Sequence, residues 1–176
     1  TALHRLGESL SHVVGLDVEF KILSIARLRR SPVSMFYYDL VMGHRWLIGG
    51  EELFAGCDHH RDATSIPLHE ATRLLFNRCS GLLFANERFG RKDFSTTEAD
   101  FVGRNLAKVR LALGDVILAM NGLYHWSCLE RHRRLQALPG ADAGILSHHA
   151  AGVEFKLHPQ RSTQTRDELL KEHAEL

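Results

Sequence analysis

Residues 16–22 read Leu16-Asp17-Val18-Glu19-Phe20-Lys21-Ile22, a strict alternation of apolar and charged side chains. Successive side chains of a β-strand point to opposite faces, so Leu16, Val18, Phe20 and Ile22 fall on one face and Asp17, Glu19 and Lys21 on the other. The pattern predicts a half-buried strand. Immediately upstream, Leu3, Leu6, Leu10 and Val13/Val14 recur at helical spacing. They predict a short amphipathic helix closed by Gly15 as its C-cap. Downstream, Ser24 to Arg30 reads as a short arginine-rich helix or turn ended by Ser31-Pro32. Met35 to Met42 is apolar and aromatic with one acid, Asp39, and Arg45 to Ile48 reads as a second short strand before Gly49-Gly50.

After the polar loop Gly56 to Pro67 the character changes. Long helices are expected from Leu68 to Arg88 and from Thr97 to about Asn121, the second opened by the capping-box pattern Ser95-Thr96-Thr97-Glu98. Helical segments follow over 123–138, 141–151 and 165–174, punctuated by Pro139-Gly140 and His158-Pro159. The fold class expected from this order is α+β: a mixed sheet over residues 1–66, then a helical bundle over residues 67–176. Two or three strands do not make a self-sufficient sheet. The first segment is therefore expected to be the remnant of a sheet whose other strands lie upstream of Thr1.

The 176 residues carry 22 Lys+Arg against 21 Asp+Glu, a net charge of +1. That balance argues against a long nucleic acid as partner and against an acidic disordered tail. Cys57, Cys79 and Cys128 are widely spaced and form no CxxC, which fits reduced cysteines in a cytoplasmic protein rather than a disulfide framework or a cysteine-rich zinc site. No apolar run approaches the length of a membrane span. So much apolar helix also suggests a homodimer through an exposed stripe, whose place the sequence does not give.

Candidate sites come from shared faces. Asp17 and Glu19 share a strand face and could hold a divalent cation, or form a solvated outer face. On the first long helix Glu70, Arg73, Asn77 and Ser80 form a polar stripe; on the second, Asn105, Lys108, Ala112 and Asp115 do the same. The second helix is otherwise apolar almost all round and reads as buried. Its Lys108 and Asp115 must then be paired or face a wet cleft. Two readings stand: an interhelical salt-bridge network, or a cleft wall that contacts an anionic ligand through Lys108 and Arg73. The pairs His59-His60 and His148-His149 lack HExxH spacing, and Arg131 to Arg134 reads as a basic helix face. GxxxxGK[ST], GxGxxG and GxSxG are all absent.

The order of features resembles the bacterial nucleotidyltransferase-like proteins of the DNA polymerase β superfold that carry a C-terminal helical domain. The residues behind the resemblance are Val18-Glu19-Phe20, Ser31-Pro32, Phe36 to Leu40, Gly43, Trp46 to Gly49, Glu70 to Leu83, Ala107-Lys108 and Leu113-Gly114-Asp115. It implies transfer of a nucleoside monophosphate from a nucleoside triphosphate to a hydroxyl of a small molecule or protein, with Mg²⁺ neutralising the developing charge. Glu19 matches the third metal-binding acid, with Asp39 as its alternative and Asp17 beside it. Arg73, Asn77, Lys108 and Asp115 would contact the nucleotide. The Gly-Ser and Asp-x-Asp elements of such enzymes are absent from these residues. The alternative is a non-catalytic binding or interaction module, either antitoxin-like or ligand-binding.

Overall fold

The computed structural model describes residues 2–176. Its centre is the helix α5, Thr96–Met120, which packs against α4, His69–Phe89, on one side and α7, Ala143–Leu157, on the other. Opposite sequence order in the contacts shows both pairs to be antiparallel. Arg88 bonds Glu98, while Gly81 lies against Asn105; His149 bonds Asp115, while Gly152 lies against Leu111. The helix α6, Cys128–Gln136, and the last helix α8, Arg166–Ala174, complete this bundle. Ahead of it come α1, Ala2–Val14, α2, Ile25–Arg30, α3, Met35–Met42, and three short 3-10 turns between residues 51 and 65.

The local causes are legible. Ser95 caps α5, its Oγ accepting the Glu98 N–H at 3.3 Å. The Glu98 carboxylate turns instead to Arg88 and Arg91, at 2.9 and 2.7 Å. A complete capping box opens α8, where Thr165 and Glu168 satisfy each other's backbone N–H groups. Gly15 ends α1 at φ 71, a left-handed conformation that favours glycine. Gly152 lets α7 approach closely: a Cβ there would lie 2.5 Å from the Leu111 nitrogen.

The expected α+β architecture is overturned. Among the described residues there is no β-strand and no sheet, and the chain is helical. Residues 16–22 follow α1 as irregular backbone, and residues 45–48 likewise form no strand, with Leu47 and Ile48 each 91% exposed. The physical reason is that period-2 patterning sets which side chains share a face but supplies no ladder; strand hydrogen bonds need a second strand. Val18 takes a side-chain acceptor instead, donating its N–H to Ser11 Oγ at 2.7 Å.

Met35 to Met42 is a helix with Ser34 as N-cap, its Oγ accepting the Tyr37 N–H at 3.2 Å. It buries Met35, Tyr38 and Val41, a three-residue spacing that reads as helical. Met35 and Tyr38 join one core with Ile66 and Tyr124, Val41 joins a second with Leu28, Phe54 and Cys57, and Phe89, Val102, Leu106 and Leu169 form part of a third. With the sheet falls the resemblance to nucleotidyltransferases, because the position assigned to the third acid, Glu19, is not on a strand. Among the described residues no helix is long and apolar enough to cross a membrane.

Candidate functional site

The structure disperses the acids singled out in the sequence. Asp17 is held by Arg104, with Nη1 to Oδ2 at 2.6 Å, at an exposed pair. Glu19 is exposed nearby. Asp39 lies on α3, where its Oδ2 accepts the Tyr124 hydroxyl at 3.1 Å and its Oδ1 is buried without a partner. Burial pushes the Asp39 carboxyl up to about 6, against the opposing pull of Arg131, Tyr124 and Lys156. Among the described residues no three His, Cys, Asp or Glu side chains converge as a metal site would require.

Asp115 has a structural partner set. Arg131 Nε stands 2.6 Å from its Oδ1, and His149 Nε2 stands 3.1 Å from the same oxygen. All three residues are buried. Arg131 also donates through Nη1 to the Tyr124 hydroxyl and to the carbonyls of His125 and Trp126. His149 Nδ1 lies 3.1 Å from His132 Nδ1, so one proton is shared between the two rings. Burial, and then His149, hold the His132 imidazole below its usual range. This network ties α5, α6 and α7 together and realises the salt-bridge reading for Asp115.

Lys108 has no such partner, and it belongs to a cleft. Leu74 and Arg78 of α4, Lys108, Ala112 and Asp115 of α5, and Phe155 and Lys156 of α7 line a cavity of about 270 Å³. Lys108 and Phe155 also line an adjoining cleft of about 560 Å³, whose far wall carries Thr96, Arg104 and Arg161. The i, i+4, i+7 spacing of Lys108, Ala112 and Asp115 brings them to one face of α5, as their stripe in the sequence suggested.

Arg78 is the residue that sequence reasoning missed. On α4 the stripe was drawn through Arg73 and Asn77, one residue early. Arg73 is 65% exposed and bonds Glu70 at 2.7 Å, while Asn77 is exposed. Glu70 is buried and accepts the Met35 N–H at 2.9 Å, so Arg73 braces the start of α3. Turning by one residue, about 100° around the helix, replaces that pair by Arg78.

Neither Arg78 nor Lys108 forms an ion pair or a hydrogen bond with the described residues. The Arg78 Nε is buried and lacks an acceptor. Burial lowers the Arg78 guanidinium pKa, with Asp115 opposing. Lys108 is exposed along the cleft, yet burial, then Arg78 and Arg104, lower its ammonium pKa, with Glu19 opposing. The cavity between α4, α5 and α7 therefore carries Arg78, Lys108 and Lys156 against one carboxylate, Asp115, already committed to Arg131 and His149, whereas in the adjoining cleft Asp17 and Asp100 pair with Arg104. Compared with protein-family models, curated proteins and solved structures, the chain matches none of them.

Proposed function

We propose that the protein is a binding module whose cleft between α4, α5 and α7 takes a small anionic ligand. The observation that carries this reading is the pair Arg78 and Lys108, two cations facing one cavity with no carboxylate partner and with a buried Arg78 Nε left without an acceptor. A buried cationic donor without an acceptor costs free energy, and an anion that accepts from Arg78 and is met by the exposed Lys108 ammonium offsets that cost. Lys156 adds a third positive charge on the same wall, and Phe155 and Leu74 offer apolar surface to the rest of the ligand. A phosphate or carboxylate group suits this chemistry, as guanidinium and ammonium donors recognise both.

The test is thermal denaturation and calorimetry of the full chain with inorganic phosphate, pyrophosphate, citrate and a nucleoside triphosphate, each with and without Mg²⁺. An anion at tenfold excess over its Kd raises stability by about 1.4 kcal/mol. For a chain of this size that corresponds to roughly 3–6 °C in Tm. Arg78→Ala and Lys108→Ala are expected to abolish the increase. No response to any of the four anions, or an equal response in both variants, overturns the proposal.

A further inference from the structure

We propose that residues 16–22 are a docking strand for a second copy of this chain, pairing antiparallel about Phe20 to make a symmetric dimer. The alternating segment has the composition of a strand and no strand partner among the described residues. Its apolar face is open: Leu16 and Phe20 are exposed and Ile22 is 80% exposed. Beside it α1 contributes Leu3, itself exposed, and Gly7 to the same groove as Val18, Phe20 and Ile22. Such a surface marks an interaction site.

The backbone points to an extended chain as the occupant. Val18 is bound on the α1 side: its N–H goes to Ser11, and its carbonyl lies where a Cβ on Gly7 would approach to 2.8 Å. In an extended chain the N–H and C=O of successive residues face opposite edges. Drawn out as a strand with Val18 kept on α1, the segment would turn those of Glu19, Lys21 and Leu23 away from α1. The N–H groups of these three residues make no hydrogen bond with the described residues. A free edge of this kind accepts an added strand.

The side chains name that strand as the same segment of another copy. Residues directly opposite in an antiparallel pair lie on the same face, so only registers that match even with even and odd with odd keep the apolar face intact. Centring on Glu19 sets Glu19 against the partner's Glu19, a like-charge contact. Centring on Phe20 sets Glu19 against the partner's Lys21 and Lys21 against the partner's Glu19. The same register opposes Phe20 to the partner's Phe20 and Val18 to the partner's Ile22, both apolar pairs on the open face. Cross-strand pairs of these kinds are favourable. The hydrogen-bonding positions of this register are Glu19 and Lys21, whose N–H groups make no hydrogen bond with the described residues. Asp17 is taken by Arg104, and the Lys21 ammonium, 4.5 Å from the Phe36 ring centroid in the single chain, exchanges that ring for the partner's Glu19 on pairing.

Sedimentation velocity over a concentration series tests this, with circular dichroism to confirm that each variant is folded. The wild-type chain is expected to dimerise reversibly. Glu19→Lys and Lys21→Glu each place like charges opposite one another and are expected to be monomeric. Mixing these two variants restores opposite charges at both positions, so the mixture is expected to dimerise. The combined variant E19K/K21E is expected to dimerise alone. A wild-type chain that stays monomeric up to millimolar concentration overturns the proposal. Single variants that remain dimeric, or a mixture of them that stays monomeric, overturn it as well.

Discussion

Replacing Asp39 with asparagine removes an ionisation that the fold resists, and the gain depends on pH in a direction fixed by the structure. The Asp39 carboxyl sits near 6 in place of its usual 3.8 because burial disfavours the charged form, and its Oδ1 has no donor to compensate. A folded-state pKa above the unfolded one means that the native chain holds a proton which the unfolded chain has released. Stability from this group is therefore fully present below pH 3.8 and is lost as pH rises through about 6. A displacement of about 2.2 pH units at about 1.36 kcal/mol each amounts to roughly 3 kcal/mol. Asparagine has no charge to bury, and its side-chain oxygen still accepts from Tyr124.

The assay is urea denaturation of wild type and Asp39→Asn across the acid to neutral range. The two proteins are expected to be close in stability at about pH 3.5, and the variant more stable by about 2–3 kcal/mol at pH 8. Only the difference between them is read, because other carboxylates titrate in the same range in both. A gap that stays constant with pH, or that closes as pH rises, refutes the burial argument for Asp39.

Four other outcomes follow from the packing and the polar network. Asp115→Ala leaves the buried Arg131 guanidinium and His149 without their carboxylate and is expected to cost about 3–5 kcal/mol in urea denaturation. A loss under 1 kcal/mol would mean that the network does not brace α5, α6 and α7. Gly152→Ala forces α7 away from the Leu111 backbone and is expected to cost about 1–3 kcal/mol in the same assay, whereas a neutral result contradicts the close crossing. Ser95→Ala removes the α5 cap and is expected to cost about 1 kcal/mol. In an NMR titration the His132 imidazole is expected to gain its proton below the usual 6.5, because burial and His149 disfavour the cation; a midpoint above 6.5 refutes that reading.

Much of the helical half was legible. The stretches read as helices from Leu68 and Thr97 became α4 and α5 with ends within a residue or so, because a long period of 3.6, a serine cap and bounding glycines and prolines are local causes. Lys108, Ala112 and Asp115 were read as one face and do line one wall. In the N-terminal region the helix expected over Leu3 to Val14 and the short arginine-rich helix before Ser31 are present as α1 and α2, whereas the strands expected over Leu16 to Ile22 and Arg45 to Ile48 find no ladder partner, and Met35 to Met42, to which composition alone assigned no element, is helical. On α4 the stripe through Arg73 and Asn77 was drawn one residue from the one that faces the cavity, because several polar residues share that helix and periodicity does not choose among them.

The alternation of Leu16 to Ile22 is a property of the sequence alone, as are the helix caps at Ser95 and Thr165 and the apolar face of α5. Each depends on residues a few positions apart, so the chain determines them before any long-range contact forms. Whether the alternating segment becomes part of a ladder was decided by tertiary structure, because hydrogen bonds between strands need a partner that a local pattern cannot supply. The same holds for charge. The sequence placed Lys108 and Asp115 on one helix face, and only the arrival of α6 and α7 gave Asp115 to Arg131 and His149 while leaving Lys108 beside Arg78 without an ion pair among the described residues.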